Sequence, residues 1–121
     1  QSGDVLVSLN NGDVQWFSPD GELLDTIDTK LNGQNGGLAF NPASGELFVT
    51  NFDQALIMVI DSSGQLSREF GIFLSGGMTS IVFDQIGNVI TGRDVDLFAS
   101  EDPGGVTIFD PSGEKWYDLY P

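Results

Sequence analysis

Four carboxylates lie close together in the last third of the sequence and could bind a metal ion. Hard oxygen ligands suit Ca²⁺, which takes about six to eight oxygens from carboxylates, carbonyls and waters. The spacing does not follow the EF-hand pattern, because the glycine and glutamate that this pattern requires at later positions are missing. The residues that indicate either a calcium site or an acidic surface loop are Asp94, Asp96, Glu101 and Asp102.

A second set of polar residues could line a ligand-binding face. Each residue follows a segment of β-strand character, and loops at the ends of strands are where binding sites gather. In a ring of sheets, these loops would open on one face around a central channel. The set consists of Asn10, Asn11, Asn51, Asp53 and Arg93.

Aromatic side chains near the C-terminal end offer a further surface. Trp116, Tyr117 and Tyr120 stand on or beside a predicted outer strand, where exposed rings could stack against a sugar. Packing at the edge of a sheet is the alternative for these three. Phe17 and Phe109 occupy equivalent places on predicted third strands, which indicates packing between sheets.

Composition excludes several classes of chemistry. The 121 residues include no His and no Cys, which excludes disulfides, Cys/His zinc sites and Ser-His-Asp triads. A net charge of −14 repels phosphate backbones and anionic membranes. The longest apolar run, 55–60, is too short for a membrane helix. We expect a soluble protein that binds neither nucleic acid nor membrane, with the cytosol, the periplasm and secretion all left open.

Two sequence marks recur three times each, at intervals of 42 to 49 residues. A glycine precedes a β-rich run at Gly3, Gly45 and Gly87, which stand 42 residues apart. The second mark is a turn that ends in glycine, and it occurs three times: at 17–21, 60–64 and 109–113.

Each repeat predicts four short strands joined by hairpin turns. Runs of β-branched, aliphatic and aromatic residues alternate with clusters of Gly, Pro, Asn and Asp. In the turns 18–21 and 110–113, proline presets φ and the final glycine takes a positive φ. The strands predicted for the middle repeat are 37–41, 46–51, 55–60 and 65–70.

A repeat of about 40 residues with four strands has the size of a β-propeller blade. The phrases Gly37-Leu38-Ala39-Phe40, Gly45-Glu46-Leu47-Phe48-Val49-Thr50-Asn51, Val59-Ile60-Asp61-Ser62-Ser63-Gly64 and Arg68-Glu69-Phe70-Gly71 carry a resemblance. They resemble a blade of the NHL-repeat propellers and of the related gluconolactonase and senescence-marker-protein family. The marks of WD-repeats are absent, and the pair Gly36-Gly37 stands before the first strand rather than at the kelch position. The resemblance implies a propeller fold and says little about activity.

Three repeats amount to half of a six-bladed ring. We expect an all-β fold, a partial β-propeller in one domain, with blade units at about 1–34, 35–75 and 76–121. Half a ring leaves two apolar sheet faces bare, which monomers seldom tolerate. We therefore expect a homodimer that closes the ring. A piece cut from a longer propeller is the alternative, because no first strand precedes Gly3.

These observations favour a self-associating structural or binding module over an enzyme. The competing function is a cation-dependent lactonase or esterase. In the gluconolactonase-like family, Glu, Asn and Asp of several blades hold a divalent cation, and an Asp acts as general base. The resemblance implies that Asn51 or Asp53 could take one such place, while the cation polarises a lactone carbonyl and a carboxylate activates water. The early Glu of that family has no evident equivalent in this sequence.

Overall fold

The computed structural model describes residues 3–29, 33–53, 56–71, 77–93 and 104–119. Within these ranges the chain forms eleven β-strands and no helix, so the all-β prediction is confirmed. Among these residues, accordingly, no helix has the length and apolar character of a membrane span.

The strands form three antiparallel sheets in which strands that follow one another in the chain pair with each other. Sheet 1 contains β1 (Val5–Ser8), β2 (Asp13–Phe17) and β3 (Leu23–Asp28). Sheet 2 contains β4 (Asn35–Phe40), β5 (Leu47–Asn51), β6 (Leu56–Ile60) and β7 (Leu66–Gly71). Sheet 3 contains β8 (Met78–Phe83), β9 (Val89–Arg93), β10 (Gly105–Phe109) and β11 (Trp116–Leu119). The strands β1, β5 and β9 begin 42 residues apart, so the sequence period is also the period of the sheets.

The turn that ends in glycine has the same geometry in all three sheets. Gly21, Gly64 and Gly113 have φ of 86°, 85° and 81°, respectively. Each glycine N–H donates to the carbonyl three residues earlier, at 2.9 to 3.0 Å. The predicted positive φ is confirmed, and glycine is favoured because a Cβ is strained in this region.

The core lies between neighbouring sheets, because alternate residues of a strand point to opposite faces. Between sheets 1 and 2 the buried residues are Val14, Ile27, Leu47, Val49, Met58 and Ile60. Between sheets 2 and 3 they are Phe48, Ile57, Val59, Met78, Ile81, Val89 and Phe109. Sheet 2 is therefore buried on both faces, whereas sheets 1 and 3 each contribute one face to these clusters.

Phenylalanine rings fill the layer between sheets 2 and 3. Phe48 meets Phe83 edge to face with centroids 4.9 Å apart, and Phe70 meets Phe109 at 5.0 Å. Such pairs stabilise by about 0.5–1.5 kcal/mol beyond the area they bury. The expectation of packing between sheets is confirmed for Phe109, which is 0% exposed. Phe17 instead lies on the face of sheet 1 that points away from sheet 2.

Two glycines let the first strands of sheets 2 and 3 approach closely. A Cβ on Gly36 would stand 2.5 Å from Met78 O and 2.7 Å from Thr50 Oγ1. A Cβ on Gly37 would stand 2.9 Å from Ser80 Cα. The pair lies inside β4, so the prediction that it precedes the strand is wrong: β4 needs glycine where its backbone runs against β8.

Candidate functional site

The predicted binding loops of the first two repeats lie together at one end of sheets 1 and 2. Asn35 N donates to Leu9 O at 3.3 Å, and Phe52 N donates to Gln34 O at 2.7 Å. Gln34 N also donates to Asp53 Oδ2 at 2.9 Å. These bonds join the β1–β2 loop, the segment before β4 and the β5–β6 loop into one surface, which we call the loop end.

Asn51 lies buried at the base of the loop end. Its Nδ2 donates to Asn35 Oδ1 at 3.4 Å, and Asn35 Nδ2 donates to Asp13 O at 3.2 Å. These contacts tie β5, β4 and β2 together from within. Sequence reasoning missed Asn35, whose only signal was an amide at the start of an inner strand.

Three other predicted residues face water at the loop end. Asn10, Asn11 and Asp53 are exposed. Asn11 Oδ1 accepts from Asp13 N at 3.0 Å, which closes the loop locally. The arrangement presents amide and carboxylate groups to solvent, and ligand binding by these residues stays a prediction.

Arg93, at the end of β9, is 5% exposed and belongs to a polar cluster inside sheet 3. Its Nε donates to Thr107 Oγ1 at 3.1 Å, and its Nη2 lies 3.5 Å from Asp118 Oδ2. Thr107 Oγ1 in turn donates to Asp118 Oδ1. The cluster links β9, β10 and β11, and the carboxylate balances the buried positive charge. Asp118 was not foreseen as its partner, since only the strand register brings the two together.

The proposed calcium ligands Asp94, Asp96, Glu101 and Asp102 lie outside the described residues, as does Tyr120. Within the described ranges, no group of three or more His, Cys, Asp or Glu side chains could hold a metal ion. The two remaining aromatic candidates are exposed on β11: Trp116 and Tyr117.

Two turn aspartates hold their charge through local hydrogen bonds. Asp61 Oδ1 accepts from Ser63 Oγ at 2.6 Å and from Gln65 N at 3.1 Å. These donors lower the pKa of Asp61, the Ser63 hydroxyl most strongly. The Ser112 hydroxyl, followed by the Lys115 N–H, lowers the pKa of Asp110 in the same way. Both aspartates therefore protonate at a lower pH than an aspartate with its ordinary pKa.

The outer face of sheet 3 is apolar across all four strands. One row of directly paired residues runs from Val82 through Ile90 and Ile108 to Tyr117. The two ends of the row are each 58% exposed. The next apolar pair along β10 and β11 is Val106 and Leu119, and the six residues define the sheet 3 outer face.

The outer face of sheet 1 is also apolar at its centre. Val5 pairs with Phe17, which pairs with Leu23, and Val7 lies on the same side of β1. Val5 and Leu23 are about half exposed, at 53% and 50%. These four residues define the sheet 1 outer face.

Both outer faces repeat faces that are buried elsewhere in the chain. By strand register, Ile90 and Ile108 are equivalent to the buried pair Phe48 and Val59 of sheet 2. Those two residues are 0% exposed and pack against sheet 3. The sheet 3 outer face is thus the kind of surface that receives a following sheet.

The sheet 1 outer face is instead the kind of surface that packs on a preceding sheet. Val5 and Phe17 are equivalent to Leu47 and Ile60, a directly paired couple in sheet 2. That couple is buried against the preceding sheet. The two outer faces are therefore the two halves of a sheet-to-sheet contact that occurs twice within the chain.

Comparison with known proteins supports the fold and leaves the family undetermined. No protein-family model matches the chain, and no curated protein matches it. The chain is similar to a crystal structure of a protein of unknown function from Bacteroides caccae, with a TM-score of 0.74 and 18% sequence identity. The match covers 98% of this chain and 47% of that chain, so this chain spans about half the length of that structure. At this identity the likeness shows a shared fold alone.

Proposed function

We propose that this chain is half of a six-bladed β-propeller and that a second copy of it covers both outer faces. The sheet 3 outer face of each copy packs on the sheet 1 outer face of the other. The chain is then a self-associating structural or binding module. The closed ring gathers the loop ends of both copies around a central channel.

The equivalence of the outer faces with buried faces carries this proposal. Ile108 on sheet 3 takes the place of Val59, and Phe17 on sheet 1 takes the place of Ile60. The two sheet 2 residues are 0% and 1% exposed. Removing apolar surface from water stabilises the folded state by about 25 cal/mol per Å². A partner that repeats the internal contact is therefore favoured.

Geometry favours two copies. A head-to-tail contact generates a closed ring when the rotation between units divides a full turn, and an open filament otherwise. Three sheets per copy make six in a dimer, a number within the usual range of about four to eight blades. The similar structure from Bacteroides caccae is about twice as long as this chain, as a six-sheet molecule would be.

The test is the mass in solution, by light scattering after size exclusion, over a range of concentrations and with and without Ca²⁺. A dimer of about 26 kDa, twice the 13.0 kDa of the chain, is expected. A monomer at every concentration overturns the proposal. It would fit the alternative in which the rest of a longer chain covers these faces.

Matched variants locate the interface. Ile108→Lys places a charge on the sheet 3 outer face and is expected to give a monomer with unchanged circular dichroism. Ile86→Lys is the control, because Ile86 is 77% exposed in the β8–β9 turn and lies on neither face. An unchanged dimer of Ile108→Lys contradicts the assignment.

A mixing experiment tests the head-to-tail arrangement. Phe17→Glu is expected to be monomeric alone, like Ile108→Lys. When the two variants are mixed, the dimer should return, because one of its two contacts is native and the other pairs lysine with glutamate. A contact of like face with like face would leave the mixture monomeric.

A further inference from the structure

An arginine closes the outer edge of the contact between sheets 2 and 3. Arg68 of β7 lies over the rings of Phe48 and Phe70, at 5.5 and 5.3 Å from their centroids. Its Nη1 donates to Ser112 O at 2.8 Å, and its Nη2 donates to Pro111 O at 3.4 Å. The guanidinium is therefore held between aromatic rings and the backbone carbonyls of the β10–β11 turn.

The contact between sheets 1 and 2 repeats this construction without the arginine. Arg68 pairs with Val59, and its equivalent Asp25 pairs with Trp16. Each of the two paired residues on the outer strand comes four positions after its turn glycine. The contact between sheets 2 and 3 has the cation of Arg68. The contact between sheets 1 and 2 has the exposed carboxylate of Asp25 and the indole of Trp16 at the equivalent place.

The turn that would receive the guanidinium is present in the same form. The turn 61–64 matches 110–113: in each, the glycine N–H donates to the aspartate carbonyl and the serine hydroxyl donates to the aspartate carboxylate. The carbonyls of Ser62 and Ser63 therefore correspond to those of Pro111 and Ser112, which bind Arg68.

The space beside Gly64 is open, whereas the ring of Phe70 fills the equivalent space beside Gly113. A Cβ on Gly113 would meet the ring of Phe70 at 2.6 Å, whereas a Cβ on Gly64 would meet nothing within 4 Å. The residue equivalent to Phe70 is the smaller Ile27, which pairs with Val14 as Phe70 pairs with Ile57. A groove of about 430 Å³ lies beside Gly64.

The groove combines an aromatic wall with acidic groups. Its lining consists of Asp4, Trp16, Leu24 and Asp25 from sheet 1 and of the turn segment 62–64 from sheet 2. Trp16 Nε1 donates to Asp4 Oδ2 at 2.8 Å, which orients the indole. A second cavity of about 270 Å³ shares the lining residues Trp16 and Ser62 with it.

We infer that this groove binds the guanidinium group of an arginine side chain on a partner polypeptide. A guanidinium stacks on an aromatic face and donates several hydrogen bonds in one plane, which suits an indole beside carbonyls and a carboxylate. A lysine ammonium stacks less well and lacks the planar fork. The net charge of −14 attracts a basic partner.

The chain itself does not supply the ligand. Its two arginines are Arg68, which binds the turn of sheet 3, and Arg93, which is buried beside Asp118. The groove lies within one copy of the chain, so the inference does not depend on the proposed ring and is tested separately from it.

The experiment is a nuclear magnetic resonance titration of the full chain with capped tripeptides Gly-Arg-Gly, Gly-Lys-Gly and Gly-citrulline-Gly. The arginine peptide is expected to shift the indole N–H signal of Trp16 and the amides of Ser63 and Gly64. Citrulline, the neutral analogue, should bind at least about threefold more weakly. Equal shifts with the three peptides, or none at these signals, overturn the inference.

Free arginine separates a peptide ligand from a small molecule. Its α-carboxylate adds a negative charge near an acidic surface, so weaker binding than that of the capped peptide is expected. Tighter binding of free arginine overturns the assignment to a polypeptide.

Substitutions of the exposed Asp25 test its part in the groove. Asp25→Asn is expected to weaken the arginine peptide by about threefold, and Glu114→Gln, an equal charge change in the β10–β11 turn, should not. Asp25→Arg places an arginine where the contact between sheets 2 and 3 has Arg68. The new side chain should occupy the groove, abolish peptide binding and raise Tm. Undiminished binding to Asp25→Arg contradicts the inference.

Discussion

The guanidinium of Arg68 donates a hydrogen bond to the backbone carbonyl of Ser112 at 2.8 Å, so sheets 2 and 3 are joined at their outer edge as well as through their core. The bond crosses 44 positions of sequence and depends on the β10–β11 turn being held in place.

Removing this side chain should loosen the edge. Arg68→Ala loses two ring contacts and two hydrogen bonds of a partly exposed group, and the free energy of unfolding should fall by about 1–2 kcal/mol. Arg68→Lys should recover only part of the loss, because an ammonium lacks the planar fork. Urea denaturation measures both. Lys115→Ala is the control in the same turn, and a fall as large as that of Arg68→Ala would contradict the role of the guanidinium.

The buried ion pair of sheet 3 should be sensitive to the loss of one partner. The side chains of Arg93 and Asp118 are 0% and 6% exposed. Asp118→Leu leaves a buried cation without its carboxylate and should lower the free energy of unfolding by about 3 kcal/mol. The double variant Arg93→Met with Asp118→Leu should regain most of this stability. Denaturant unfolding of both variants, beside the unchanged protein, measures these differences. A double variant as unstable as Asp118→Leu would count against the pair.

The close approach of β4 to β8 predicts an intolerant glycine. Gly36→Ala places a methyl group 2.5 Å from Met78 O, so β4 must shift, and a loss of about 2 kcal/mol or more is expected. Gly45→Asn is the control, since Gly45 has φ of 76°, a region that asparagine tolerates, and open space around it. Thermal unfolding measures both variants, and equal Tm values would show that the strands have room.

The turn aspartates predict a loss of stability in acid. The pKa of Asp61 lies below its ordinary value of 3.8 in the folded chain. Its contribution is therefore complete above the unfolded pKa and is lost as the pH falls through the folded pKa. Ser63→Ala removes the strongest donor and should raise the pKa of Asp61 toward its ordinary value. Side-chain carboxyl titration by nuclear magnetic resonance measures this shift, with Asp110 as the internal reference that should not change.

The strand pattern and turns were predictable because they depend on local chemistry. Gly21, Gly64 and Gly113 mark positions where φ is positive, and the alternating apolar residues between them mark strands. The predicted strands of sheet 2 lie within two residues of the observed ones. The exception is Gly36, whose need for glycine comes from a neighbouring sheet and so leaves no local sign.

The candidate site was only partly predictable. Asn51 and Arg93 were expected in loops around a channel, but strand register turns both inward, where they bond to Asn35, Thr107 and Asp118. Such partners lie 14 to 25 residues away in sequence, and no local pattern identifies them. The calcium ligands, the lactonase alternative and the closed ring stay predictions.

The sequence by itself determined the period, the number of sheets, the strand order and the absence of His and Cys chemistry, because each follows from local conformation or composition. Tertiary structure alone decided that the space beside the turn of Gly113 is filled by side chains of the neighbouring sheet, and that the space beside the turn of Gly64 is open. Asp25 and Arg68 look like unrelated surface charges in the sequence. Their equivalence becomes visible only when the sheets pack face to face. The turn of sheet 3 then binds Arg68, whereas the same turn of sheet 2 borders the open groove beside Trp16.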